Sequence, residues 1–378
     1  MTFQIITIMI LNTGVQSLHL NNSGHIGQKT RRGDTVMNKK MEQEREEGLW
    51  EGYIGTYYSQ ESRGIYRFFF DEKEGKITEP ELFYEARNAK WICANGTSLV
   101  FPVEKKEGAG TCFLEVKDGK VIGEEEILEE RQTPCYILQN GNQVYTANYH
   151  EGNVMVYHLE QGKPSLVKRI ENGEKAGCHQ ILLHENYLLV PCLEQNRIRL
   201  FDTANEYCLA GDILFPEGSG PRHGVFNREH TKLYVVSEWS NQLFVFRVHE
   251  REFVPEETHS VLPEGWMGKE EAAAAAIRLT RDERHLYISV RGANLLSVFD
   301  ISGDRVLAIQ HVSCGGSHPR DFIITSDETC LLVANRFQGG IVGIERDRES
   351  GLLGGWKNLA SMPEGVALTL RDRTEETL

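Results

Sequence analysis

The stretch GSGPRHGVF, residues 218–226, sets Arg222 and His223 behind a proline, where one apolar run ends and another begins. A charge at the mouth of a buried strand is costly unless it is paired, so its partner is the first question. Arg291, Arg320 and Arg336 follow in similar settings, and Glu238 is the one carboxylate among them. Guanidiniums sharing a confined space with a single carboxylate repel one another unless an anion joins them. That predicts a carboxylate or phosphate ligand held by charge-assisted hydrogen bonds. Beside such an anion His179 or Glu238 can take a proton from water, and His223, Arg320, Arg336 and His150 are candidates for contacting the substrate. Taken singly, each residue has a plainer reading. An isolated arginine in a β protein is a solvated or salt-bridged group, an isolated histidine is a satisfied core residue, and His223 orients a neighbouring loop. Only a fold that gathers these residues gives the set chemical meaning.

The elements that must do the gathering are visible as a repeat. Beyond about residue 50, short β-rich runs alternate with Gly, Asn and Asp turns, and helical periodicity is almost absent, the pattern of an all-β chain. The segments QVYTANYHEGNVMVYHL, YLLVPCLEQNRIRLFDT, KLYVVSEWSNQLFVFRV, HLYISVRGANLLSVFDI and CLLVANRFQGGIVGIER share one plan of apolar strand, polar turn and alternating strand. Their turn positions, Asn153, Asn196, Asn241, Asn294 and Gly339, lie 43 to 53 residues apart, a blade-sized period. Earlier copies stand in YIGTYYSQESRGIYRFFF and, more weakly, in TSLVFPVEKKEGAGTCFLEV. Residues 50–360 therefore accommodate seven units, which predicts a seven-bladed β-propeller with four-stranded antiparallel blades around a central channel. The run 272–276 is the one helix candidate, yet it stands where the repeat needs a strand, and no Trp-Asp dipeptide marks a WD40 propeller.

Aligned on the turn, the polar residues fall into register. Three residues before it come His150, Leu193, Glu238, Arg291 and Arg336; 17 to 19 before it come Cys135, His179, Arg222, Ala275 and Arg320. Equivalent positions of successive blades face one axis, so these side chains are expected to converge at one end of the channel.

Bulk properties narrow the chemistry. A formal charge of −14, from 41 Lys and Arg against 55 Asp and Glu, argues against nucleic-acid or anionic-membrane partners. The eight cysteines show no Cys-x-x-Cys and no zinc-like spacing, and read as reduced core residues. There is no G-x-S-x-G elbow, H-E-x-x-H, EF-hand loop or P-loop, so neither a cofactor nor a metal is expected. No apolar run reaches the ~18 residues of a membrane span, and residues 3–11 lack a basic flank and a cleavage site, so a cytoplasmic protein is expected. Residues 1–47 are read as a disordered or mis-annotated extension, with translation starting at Met37 or Met41; residues 48–365 as the propeller; and 366–378 as a polar tail or the end of a closing strand. The acidic run 124–130, EEEILEE, reads as a solvated face, and Trp239 as a packing aromatic.

Several of these motifs carry a resemblance. GSGPRHGVF followed by LYVVSEWSNQLFVF, with SVRGANLLSVFDI and GGSHPRDFIITSD, resembles the lactonase family of seven-bladed propellers, which includes bacterial 6-phosphogluconolactonases of the propeller type and fungal carboxymuconate cyclases. The likeness covers nearly all of residues 50–360 and implies that His179, Arg222, Glu238 and Arg291 form an active-site quartet. It implies metal-independent opening of a small anionic lactone, 6-phospho-D-glucono-1,5-lactone of the pentose phosphate pathway, by a monomer or weak homodimer. Glu238 or His179 would serve as base, Arg222 and Arg291 would stabilise the oxyanion and product carboxylate, and Arg320 or Arg336 would hold the phosphate. Another lactone, a muconate-type cyclisation, or a non-catalytic binding scaffold are the alternatives. Departures from the family pattern at Gly177-Cys178-His179, Cys192-Leu193-Glu194 and Val290-Arg291-Gly292-Ala293 change the pocket rim and leave the quartet in place.

Overall fold

The segment KLYVVSEWSNQLFVFRV forms a hairpin in which Lys232–Ser237 pairs antiparallel with Gln242–His249, in register from Lys232↔Arg247 to Ser237↔Gln242. Its β-branched and aromatic residues suit a pleated, buried surface. Asn241 closes the turn at φ 52°, in the left-handed region that asparagine tolerates. Asn196 and Asn294 do the same in their own hairpins, at φ 50° and 54°. Pro221–Phe226 adds to one side of the hairpin and Glu252–Ser260 to the other, which completes a four-stranded antiparallel sheet.

In this computed structural model the described residues are 48–173, 175–268 and 271–371; the expected start at Met37 or Met41 lies outside them. Seven such sheets follow one another along the chain, so the seven-bladed propeller is the observed fold. The first strands of blades two to seven are Cys93–Asn95, Tyr136–Asn140, Leu182–His184, Pro221–Phe226, Ala273–Leu279 and Ser317–Ile324. In blade one that place is taken by Gly365–Arg371, which pairs with Leu49–Thr56. Gly64–Asp71 comes next, and Lys76–Ile77 and Glu81–Glu85 share its outer side. Fourth strands such as Lys163–Glu171 and Glu252–Ser260 are largely exposed and form the rim. First strands therefore line the axis. The run 272–276 contributes to a strand as expected, and the only helical element among the described residues is a 3-10 turn at Leu193–Gln195.

The core lies between blades. Val236, Leu243 and Val245 of the fifth blade pack with Ile277, Leu286, Ile288 and Val290 of the sixth. Each fully buried aliphatic side chain of this kind contributes about 1.5–3 kcal/mol, and the contacts fix the angle between neighbouring sheets. The ring is closed by the chain ends, from Glu51↔Arg371 to Gly55↔Ala367. An ion pair sits on this seam: Arg371 Nη1 lies 3.5 Å and Arg67 Nη1 3.7 Å from the buried Glu51 carboxylate.

One sequence expectation is corrected here. The run 124–130 is not uniformly solvated, because Glu130 ends the strand Lys120–Glu130 turned inward and is 4% exposed. Asn148 Nδ2 donates to its Oε1 at 2.7 Å, while Oε2 has no partner. Burial pushes the carboxyl pKa up to about 7.

Candidate active site

Three axial strands carry an extra residue where they enter the channel. Pro221 pairs with Ser237 and His223 with Val236, so Arg222 has no opposite number. Pro319 and Asp321 leave Arg320 in the same position, and the register slips by one between Ala274 and Ile277. A bulge re-aims a side chain and frees backbone groups from the ladder. Here it directs Arg320 toward the axis and leaves the carbonyls of Ala274 and Ala275 open to arginines.

The turn asparagines hold these strands from the preceding blade. Asn196 Oδ1 accepts from Gly220 N at 3.0 Å, Asn241 Oδ1 from Ala274 N at 2.9 Å, and Asn294 Oδ1 from His318 N at 2.8 Å. Asn241 Nδ2 also donates to Ala272 O at 2.9 Å. At Gly220, φ 66°, a Cβ would stand 2.9 Å from the Trp239 indole, so glycine is what lets the chain pass beneath that ring. Trp239 covers this turn and does not line the cavity.

At this end of the channel is a cavity of about 180 Å³ to which every blade contributes. In ring order Tyr57, Lys90, Tyr149 with His150, His179, Glu238, Arg291 and Arg320 come from blades one to seven. Of the sequence candidates, His150, His179, Glu238, Arg291 and Arg320 line it, and Arg222 and His223 lie beneath, each 1% exposed. Arg336 stands at the rim, where its Nε donates to Glu364 at 2.7 Å and its guanidinium covers the Tyr57 ring at 4.3 Å.

Glu238 organises the fifth and sixth blades. Its Oε2 accepts from Arg222 Nε at 2.9 Å and lies 2.7 Å from Arg291 Nη2. Arg222 Nη1 donates to Ala275 O at 2.7 Å and Arg291 Nε to Ala273 O at 3.1 Å. Burial pushes the Glu238 pKa up, but Arg291, Arg222 and Arg320 together outweigh it and hold it below the usual carboxylate value. Burial, with Arg291 alongside, lowers Arg222 to about 9, which leaves it protonated at neutral pH.

His179 Nδ1 faces His223 Nε2 at 3.2 Å, and its Nε2 has no hydrogen bond among the described residues. Burial, then Arg222 and His223, hold the His179 pKa well below its ordinary value, so the ring is neutral. A neutral His179 offers Nε2 as a proton acceptor in the tautomer whose Nδ1–H donates to His223 Nε2; in the opposite tautomer His223 donates and Nε2 carries the proton.

Tyr57, Lys90 and Tyr149 escaped the sequence reading. Tyr57 and Tyr149 directly follow the second strands of their blades, as Glu238 does in the fifth. Lys90 precedes its axial strand by three residues, as His179 does in the fourth blade. Extending the register rule to the second repeat, with Gly108 at its turn, would have found Lys90; the longer loop between Thr56 and Gly64 puts Tyr57 out of that register.

The propeller thus gathers the Arg291 and Arg320 guanidiniums, Lys90 and His179 at one end of its channel. The family described as Lactonase, 7-bladed beta-propeller matches residues 51–370, and the chain belongs to it. An uncharacterized protein of Staphylococcus epidermidis is 30% identical over 344 residues, 84% of this chain and 99% of that one. The 6-phosphogluconolactonase of Bacillus subtilis is 27% identical over 341 residues, covering 84% and 97%. Among solved structures, a Lactobacillus plantarum protein superposes with a TM-score of 0.81 at 23% identity, over 86% of this chain and all of that one.

Proposed function

We propose that the cavity hydrolyses a sugar-acid lactone, with 6-phospho-D-glucono-1,5-lactone as substrate and 6-phosphogluconate, a pentose phosphate intermediate, as product. The carrying observation is that His179 lines the same cavity as the Glu238–Arg291 pair. The named activity of the Bacillus subtilis relative supports the choice of substrate.

In this reading His179 Nε2 takes a proton from water as the hydroxide oxygen bonds to the lactone carbonyl carbon. Arg291, on the cavity wall, stabilises the oxyanion that forms. Collapse breaks the bond to the ring oxygen, which recovers the proton from His179, and the new carboxylic acid loses its own proton to solvent. Glu238 is a poor base because two guanidiniums stabilise its charged form. Its part is to hold Arg291 and to balance Arg222 beneath the floor. The lactone already opens in water, so a barrier reduction of about 4 to 6 kcal/mol, ~10³- to 10⁴-fold, is sufficient.

The test follows hydrolysis of freshly generated 6-phosphogluconolactone above its spontaneous rate, with the full chain and its His179→Ala and Arg291→Ala variants. Acceleration by the wild type that both folded variants lose supports the reading. A wild type inert on phosphorylated and plain lactones overturns it.

A further inference from the structure

The charges around the cavity are unevenly balanced. On the fifth and sixth blades Arg222 and Arg291 share Glu238 and three blade-six carbonyls. On the seventh, first and second blades, Arg320, Tyr57 and Lys90 line the wall, and no hydrogen bond or ion pair reaches the Arg320 guanidinium or the Lys90 ammonium among the described residues. Lys90 is only 6% exposed. A lysine this buried is ordinarily paired, because an isolated ammonium out of water is strongly disfavoured.

We infer that Lys90 and Arg320, with the Tyr57 hydroxyl between them, form the subsite for a phosphomonoester dianion, the end of the substrate remote from the reacting carbonyl. The inference rests on the lactonase reading for which end reacts. In a closed ring of seven, blades seven, one and two face blades four and five, so the unpaired cations stand across the cavity from His179. Arg320 feels Glu238 and Asp321 without bonding either, while burial lowers the Lys90 pKa; a neutral lactone ring adds no counter-charge here, whereas a terminal phosphate supplies two negative charges and three acceptor oxygens. Tyr57 is suited to share it. Its ring carries Arg320 at 5.5 Å and Arg336 at 4.3 Å, and these cations with Lys90 outweigh burial and hold its pKa below the ordinary phenol value. Arg336 itself is occupied by Glu364 and serves as support.

The experiment uses the full chain as wild type, Lys90→Met and Lys90→Arg. It reads kcat/KM on 6-phosphogluconolactone and on plain gluconolactone, and calorimetric binding of 6-phosphogluconate, gluconate and inorganic phosphate. Loss of one charge-assisted contact is expected to lower the preference for the phosphorylated over the plain lactone by about 10- to 100-fold in Lys90→Met. Lys90→Arg should restore most of it, which a merely structural lysine would not require. A wild type that hydrolyses both lactones while Lys90→Met keeps the same preference overturns the subsite and leaves the lactonase reading standing. A wild type inert on both, yet binding 6-phosphogluconate and phosphate through Lys90, overturns that reading and leaves the anion site standing. Absence of phosphate binding and of any preference for the phosphorylated lactone in the wild type overturns the subsite.

Discussion

His179 and Glu238 occupy one wall but carry opposite electrostatic histories. Burial among cations holds the His179 pKa below its ordinary value, while the guanidiniums beside Glu238 hold its carboxyl below the usual carboxylate value. A base works in its deprotonated form, so kcat/KM should stay level as pH falls from 8 to 6.5 and drop only well below the ordinary histidine value. Glu238→Gln should lower kcat/KM while leaving that acid limb unmoved, because it disturbs Arg291 and not the proton acceptor; a limb that vanishes in this variant would make Glu238 the base. Glu130 offers a stability counterpart. Its folded pKa of about 7 exceeds the ordinary 4.5, so the folded chain holds this proton more tightly, and the stability this confers below 4.5 is lost as pH rises through 7. The loss is up to ~3 kcal/mol. Glu130→Gln should flatten that dependence and unfold at higher urea than the wild type at pH 8.

The inter-blade asparagines set where the bulged strands lie. Asn241 ties Ala272 and Ala274, and through them the carbonyls that receive Arg222 and Arg291. Asn241→Ala removes both bonds and leaves buried backbone groups unsatisfied, at a cost of about 1–3 kcal/mol. Chemical denaturation should show the loss, and activity should fall further than stability alone predicts. These asparagines were legible in the sequence, because a residue adopting positive φ at a fixed period is a local signal. So was the convergence of His179, Glu238, Arg291 and Arg320, which follows from the register of the repeats. The bulges were not legible: an extra residue is defined only against the partner strand's register, which Arg222 and Arg320 do not encode. Arg222, at the same bulge position as the cavity-lining Arg320, ends beneath the floor because its guanidinium is drawn to Glu238 and to the Ala275 carbonyl. Lys90 and Tyr57 were hidden because their blades match the repeat most weakly, the first borrowing its axial strand from the other end of the chain.

That borrowed strand governs the whole molecule. Gly365–Arg371 pairs with Leu49–Thr56, and the buried Glu51 receives Arg371 and Arg67 across the seam. Without Arg371 the Glu51 carboxylate keeps only the more exposed Arg67, so the cost is less than the about 3–5 kcal/mol of stripping a buried charge of its sole partner. Arg371→Ala should therefore shift the urea midpoint down without changing the slope, if the ring opens as one cooperative unit. A lower slope would mean the first blade separates from an otherwise intact propeller.

The closing strand also sets when the protein can become active during its synthesis. Because residues 365–371 complete the first blade, a nascent chain still tethered to the ribosome can stack blades two to seven but cannot seal the ring until those residues emerge. Tyr57 reaches the cavity from the blade that this strand completes, and Arg320 and Lys90 from the blades on either side of it. Product from a message truncated before residue 365 would thus carry every cavity-lining residue and still lack a finished cavity.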